Sequence, residues 1–342
     1  MKLGILLMEQ GLLPEWFIRM GIRAICRSRL REEKRNGCES EAAMFMNFVE
    51  RLRTEPVAVL TGKANEQHYE IPAVFFEKIL GRHLKYSSGY WHSDTKTLDE
   101  AEVAMLQLTA ERAELADGME ILELGCGWGS LTIWMAERYP EARILGVTNS
   151  HSQRDYIIQR AADRDLKNIE VVTSDMNTFT TGYRFDRVVS VEMFEHMRNY
   201  ETLLDRISTW LKPGSKLFVH IFTHRKYAYF FQQEGDMNWI GRHFFSGGIM
   251  PSDHLLLYFQ RNLAIEQHWR CSGTHYKNTA EAWATNMDKN KESLLDILRE
   301  AYGKGNELLW YRRWKTFFLA CAEMFGFNRG EEWLVSHYRF VR

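Results

Sequence analysis

The 342-residue sequence is short of several things. It has only 5 cysteines, Cys26, Cys38, Cys126, Cys271 and Cys321. Their number is odd, their spacings are wide and no C-x-x-C pair occurs, so neither a disulfide framework nor a zinc site follows and no metal centre is expected. Thiols used this way suit a reducing, cytoplasmic setting, where a free cysteine packs as a small hydrophobe. Only 6 prolines and 23 glycines punctuate the chain. They fall singly or in pairs, which leaves no long flexible linker. Net charge is scarce too: the formal value is −1, which removes the basic balance expected of a nucleic-acid partner. No stretch approaches the roughly 18 apolar residues of a membrane span. The opening Met1–Met8 runs into Glu9 and Gln10 without a small-residue cleavage site, so no secretory signal is expected.

What is present is 45% hydrophobic, 26% charged and 13% aromatic, the profile of a folded chain with one large domain or two modest ones. Residues 1–64 read as a helical region. Leu12, Leu13, Trp16, Phe17, Met20, Ile22 and Ile25 offer an apolar face, and Arg19, Arg23, Arg27, Arg29 and Arg31 a basic one. Such a helix can lie on an anionic membrane, a peripheral contact kept open here. The plainer expectation is a helix docked on its own domain with a solvated arginine face. A second helix is expected from Glu39 to Arg53, before Pro56. Thr97-Leu-Asp-Glu100 has capping-box form and should open a helix to about Leu115.

From Met119 to Phe222 short apolar strands alternate with helical patterns. Strands are expected at 119–124, 142–148, 169–173, 185–191 and 216–222, with helices at 130–139, 152–164 and 200–211. This alternation predicts a parallel sheet covered by helices on both faces. Beyond it the pattern predicts a helical, aromatic-rich stretch (227–259), a strand near 263–271, two helices (279–302 and 306–325) and a closing strand (332–340).

The sharpest local signal is Glu123-Leu-Gly-Cys-Gly-Trp-Gly129. It follows an apolar strand and opens a helix, so the chain must turn tightly and a ligand can approach the backbone. A dinucleotide loop would be spaced G-x-G-x-x-G. The G-x-G-x-G spacing here, with Glu123 two before the first glycine, points to S-adenosylmethionine. Asp175 ends the third strand, where a carboxylate can accept from an adenine amino group. Asn149 and Gln153 follow the second strand, within reach of ribose or methionine polar groups.

Seven short segments in order carry a family resemblance. They are Tyr69–Pro72, Leu84–Tyr90, Thr97–Leu106, Gly146–Ser150, Phe194–Tyr200, Leu256–Gln260 and Ala322–Trp333. Together they resemble the branch of class I methyltransferases that contains the cyclopropane fatty acid synthases and the coclaurine and pavine N-methyltransferases. The resemblance implies an α/β, Rossmann-like fold with a mostly parallel seven-stranded sheet. It implies a methyltransferase domain over 65–342, with a lid at 65–97 and substrate-binding insertions at 223–262 and 272–330. S-Adenosylmethionine would be held by Ser87, Gly125, Asn149, Gln153, Asp175 and Met176, with Tyr86 and Gly127 beside it. Glu195 and His196 would face the substrate amine, and Tyr69 and Glu70 would lie over the pocket. A homodimer is also implied.

Methyl transfer to an amine asks the protein to bind a cation, remove its proton and align the nitrogen. A carboxylate can attract the ammonium and an imidazole can take its proton at physiological pH. Glu195 and His196 supply the two groups, but neighbours in an α-helix point about 100° apart, so a bend is required for both to face one substrate. In cyclopropane synthases, by resemblance, the positions of Glu195, His220 and Tyr276 join a loop cysteine in holding a bicarbonate base. Here Ser88 replaces that cysteine, which sets the bicarbonate in question. Cys321 matches a cysteine once taken as catalytic in those enzymes. Displacement at a sulfonium needs no protein nucleophile, so a packed core thiol is the expectation. The main functional expectation is an N-methyltransferase of a small, tetrahydroisoquinoline-like amine. The alternative is a cyclopropane synthase or fatty-acid C-methyltransferase acting on unsaturated phospholipid chains.

Overall fold

A computed structural model describes residues 2–34, 37–59, 71–232 and 238–342. The chain opens with α1 (Lys2–Glu9), α2 (Glu15–Glu33) and α3 (Cys38–Thr54). The faces of α2 are not distributed as expected. Arg19 and Arg23 turn inward onto the carboxylates of Glu281 and Glu323, with Arg19 Nη1 2.6 Å from Glu281. Trp16, Phe17, Met20 and Ile25 are exposed, while Ile18 and Ile22 pack on the aromatic core and Arg27 and Arg31 stay exposed as expected. Two acidic side chains on later helices supply the reason: half-buried arginines gain charge-assisted hydrogen bonds there. None of the described helices is long and apolar enough to cross a membrane.

Next come α4 (Ala73–Ile79) and α5 (Leu98–Ala113). Thr97 caps α5 in a full capping box with Glu100, as its sequence predicts, and Glu114 in left-handed conformation ends it. The alternating region then gives β1 (Glu120–Leu124), α6 (Ser130–Arg138), β2 (Arg143–Thr148), α7 (His151–Ala162), β3 (Ile169–Thr173), β4 (Phe185–Val191), α8 (Tyr200–Trp210) and β5 (Leu211–His224). The stretch predicted as helical over 227–259 is instead mostly irregular. It holds a two-stranded ribbon, β6 (Tyr229–Phe230) and β7 (Ile249–Met250), around the single turn α9 (Trp239–His243), then a 3-10 turn at Leu255–Tyr258. Gly247, Gly248 and Pro251 oppose any longer helix after α9. After β8 (Ala264–Cys271), the expected 279–302 helix is two, α10 (Gly273–Lys289) and α11 (Lys291–Tyr302), broken at Asn290. The first starts earlier because Ser272 caps it through Thr274 N. Then come α12 (Glu307–Phe325) and β9 (Trp333–Val341).

Seven strands form one sheet in the order β3-β2-β1-β4-β5-β9-β8, with β9 running against both its neighbours. Strand order reverses between β1 and β4, so a crevice opens outside their carboxyl ends, where ligands of such sheets bind. One face of the sheet is covered by α5 and α6 through Leu106, Leu131 and Met135, the other by α8 through Leu203, Leu204 and Ile207. A third core, rich in aromatics, joins α4 to α10–α12 through Phe75, Phe76, Trp283, Trp314 and Phe318. This core roofs the crevice.

Candidate active site

The glycine loop forms one wall of that crevice. Gly125 N and Cys126 N both donate to Val147 O, at 2.9 and 3.0 Å, which pins the loop to the end of β2. Gly125 has φ +80°, and an added Cβ would stand 2.7 Å from Met193 Cβ. Gly127 has φ +52°, and a Cβ there would meet nothing within 4 Å. It would project into the cavity instead, so glycine leaves room for a ligand to approach the backbone. That cavity, of about 750 Å³, is lined by Gly125, Gly127, Asn149, Gln153, Asp175 and Met176. A further cavity of about 600 Å³ shares Gly125, Gly127 and Gln153 and adds Lys85, Tyr86 and Ser87. The two form one cleft, and every residue expected to hold S-adenosylmethionine lies on it.

The residues fit such a ligand. Gln153 is held by Thr148 Oγ1, which donates to its Oε1 at 2.6 Å, while its buried Nε2 has no partner and is a donor in wait. Asp175 Oδ1 accepts from Asn177 N at 2.7 Å, fixing its carboxylate at the end of β3. Glu123 accepts from Thr132 Oγ1 at 2.5 Å, and burial pushes its carboxyl up to about 8.

A second cavity, also of about 750 Å³, lies under the aromatic roof. Phe245, Tyr276, Trp283, Phe317 and Phe325 line it with Glu192, Glu195 and His196. Glu195 and His196 sit on a 3-10 turn, Phe194–His196. Both side chains nonetheless line this one cavity. The His196 ring packs on Phe245 at 4.6 Å. His196 and Glu192 also line the cofactor cleft, so the two chambers meet at these residues.

Comparison with known proteins matches the model of the mycolic acid cyclopropane synthetase family to residues 60–332. The chain belongs to this family. It is 37% identical over 341 residues to (S)-coclaurine N-methyltransferase of Thalictrum flavum subsp. glaucum, covering 98% of this chain and 94% of the relative. Pavine N-methyltransferase of the same plant is 34% identical, with 98% and 95% covered. A crystal structure of coclaurine N-methyltransferase bound to N-methylheliamine and SAH superposes with a TM-score of 0.95 at 37% identity, covering 98% of both chains. The fold is that of the class I methyltransferases.

Within this family member, the residue that sequence reasoning missed is Glu192. It follows β4 directly and holds φ +48°, a left-handed conformation unusual for a non-glycine residue. Its Oε1 accepts from Ser88 N at 3.0 Å and lies 3.1 Å from His220 Nε2; its Oε2 accepts from Tyr276 OH at 2.6 Å. The structure therefore sets Glu192, rather than Glu195, against His220 and Tyr276. The available signal was a charged residue at the carboxyl end of a strand beside the switch point. Burial pushes Glu192 up, and Lys85, Tyr276 and Ser88 pull it down. Glu195 is 1% exposed, and its Oε2 has no hydrogen-bond partner. Burial and the neighbouring Glu192 charge push its carboxyl well above the usual range. Both carboxyls are raised from the ordinary carboxylate value, Glu195 further because the Glu192 charge adds to its burial, while Lys85, Tyr276 and Ser88 partly offset the burial of Glu192.

Lys85, also absent from the expectations, is buried, and desolvation lowers it to about 8. Its Nζ donates to Ser88 O at 2.8 Å. His220 is fully buried within β5 and reaches the site through Glu192 rather than by lining it. Cys321 lies on the wall of the acceptor cavity, and burial pushes its thiol far up, so it is present as the neutral thiol. Tyr69 and Glu70 lie outside the described residues.

Proposed function

We propose that this chain is an S-adenosylmethionine-dependent N-methyltransferase of a small, hydrophobic amine of the tetrahydroisoquinoline type. The observation that carries the reading is the buried Glu195 carboxyl, its Oε2 without a hydrogen-bond partner, on the wall of an aromatic cavity that meets the cofactor cleft at Glu192 and His196. An unmatched carboxyl in an apolar chamber is costly unless the ligand completes it. A cationic amine does so, and the ring faces around it favour the same charge.

Gly125, Gly127, Asn149, Gln153, Asp175, Ser87 and Tyr86 would hold the cofactor. Bound there, S-adenosylmethionine supplies a methyl group on a sulfonium whose leaving group is a neutral thioether. The rest is done by the chain. The aromatic walls exclude water and orient the amine. Glu195 binds the ammonium, and His196, on the shared edge of both chambers, is placed to take the proton that must leave before nitrogen can act as a nucleophile. Glu192, engaged by Ser88, His220 and Tyr276, is placed to add negative charge where positive charge is handled.

His220 and Tyr276, the donors that would by resemblance hold a bicarbonate, are both engaged by the Glu192 carboxylate. The chain supplies its own anion, so turnover should not depend on added bicarbonate. An S-adenosylhomocysteine-release assay tests the whole reading. One panel holds tetrahydroisoquinolines and simple secondary amines, the other unsaturated phospholipid vesicles, each with and without bicarbonate. Turnover on amines alone, indifferent to bicarbonate, is expected. Turnover on vesicles alone would replace this reading with lipid modification.

A further inference from the structure

A buried row of hydrogen bonds leads away from Glu192 across the sheet. His220 Nδ1 is 2.9 Å from His337 Nε2, and His337 Nδ1 is 2.8 Å from Nη1 of Arg112. His220 on β5 and His337 on β9 are register partners in an antiparallel pair, so their side chains share a face, with ring centroids 4.6 Å apart. Both are fully buried. Arg112 stands in the last turn of α5, its guanidinium 5.1 Å from the Trp269 ring centre and its Nη1 3.3 Å from Cys271 Sγ.

Arg112 sets the direction of the row. A guanidinium only donates, and it keeps its charge. His337 Nδ1 must therefore accept. Burial and the nearby charges of Arg112 and Lys85 hold both imidazoles neutral. The single proton of His337 then sits on Nε2 and is given to His220 Nδ1. The single proton of His220 sits on its own Nε2, facing Glu192. Each link points the same way, and the last one can only donate to the carboxylate.

We propose that Arg112 and His337 are positioning residues that lock His220 as a hydrogen-bond donor and so keep Glu192 ionised for the reaction. The proposal rests on the reading of Glu192 as a site carboxylate. Without Arg112, His220 is free to carry its proton on Nδ1 and present a lone pair to Glu192. The carboxyl would answer by protonating. The other groups facing Glu192 are Ser88 N and Lys85 from the loop before Tyr90, Tyr276 from α10, Glu195 from the 3-10 turn and Cys321 from α12. His268 on β8 also acts on His337. None of these dictates which nitrogen of His220 bears the proton.

The test uses the full chain with ¹⁵N-labelled histidine. In the wild type, His220 and His337 should both show the neutral Nε2–H form, unchanged from about pH 6 to 8, the range in which an ordinary histidine titrates. Arg112→Gln should populate the Nδ1–H form of His220. It should also move the acid limb of the kcat/KM profile up by about one pH unit, the size of one lost charge-assisted hydrogen bond. KM for S-adenosylmethionine should not move, and Arg112→Lys should bring the profile back. His337→Phe removes the row while leaving the guanidinium and should give the same shift, which decides the matter if Arg112→Gln does not fold. Doubly protonated or Nδ1–H imidazoles in the wild type, or an unchanged profile in both variants, would overturn the proposal. A wild type that methylates no amine would count against the functional reading, and the tautomer spectra would still decide this one.

Discussion

The cofactor cleft and the acceptor cavity share Glu192 and His196 yet are built on opposite principles. The cleft is made of backbone and short side chains contributed by consecutive strand ends, Gly125 and Gly127 after β1, Asn149 and Gln153 after β2, Asp175 and Met176 after β3. Its chemistry is local, and each contributor sits in a turn whose composition marks it. The acceptor cavity is made of large side chains drawn from the loop at Tyr86, the turn after β4, the ribbon region at Phe245 and the helices α10 and α12. Its ionisable groups are buried and set each other's charge. The donor side is therefore a matter of shape, and the acceptor side a matter of electrostatics.

That contrast can be broken in order of expected effect. Gly127→Val forces a β-branched residue into left-handed backbone and fills the approach to the cleft. Binding of S-adenosylmethionine, measured by calorimetry, should fall below detection, and turnover with it. Normal affinity in this variant would mean the loop is not the cofactor wall. Glu195→Gln keeps the shape and removes the charge. It should lower kcat/KM for the amine by about 10²-fold, the cost of removing one partner of a buried charge pair, with cofactor affinity unchanged. Equal damage to both would merge the two regions into one.

A smaller effect sharpens the electrostatic half. Burial and the Glu192 charge raise Glu195 well above its ordinary value. An arriving ammonium draws that pKa down, so amine binding should release protons and tighten as pH rises. Titration calorimetry in buffers of different ionisation enthalpy measures this. Proton uptake, or none exchanged, would contradict the assignment. The smallest effect lies outside both regions. Thr97→Ala removes the capping box of α5 and should cost about 1 kcal/mol in denaturant unfolding, with both ligand affinities intact.

Most of the sheet was legible because its strands and helices alternate with clear periods. β3 and β4 fall on their expected residues, and the helix after Thr97 starts where its cap says. The residues proposed to hold the cofactor after β1, β2 and β3 could be picked out because each follows a strand, whereas Tyr86 and Ser87 lie before the first strand and rested on the resemblance. The stretch 227–259 misread as helix because its aromatic spacing mimics an amphipathic face. Its glycines and Pro251 let the chain fold as a ribbon over the cavity instead. Arg19 and Arg23 misread as part of a solvated face because their partners, Glu281 and Glu323, lie more than 250 residues away. Glu192 escaped notice because three residues later Glu195 and His196 offered a more familiar pair. Nothing in a linear string shows that Ser88, His220 and Tyr276 converge on it.

By itself the sequence determined the parallel sheet, the glycine loop at its switch point and the donor chemistry that loop implies. These follow from hydrophobic period, turn composition and strand-end position, which are properties of neighbouring residues. Only the tertiary structure decided how the two buried carboxyls act on each other, which imidazole lines the site and which lies behind it, and how Arg112 is connected to Glu192. Those depend on burial and on distances between residues far apart in the chain, and a buried charge takes its state from whatever the fold places within a few ångströms of it.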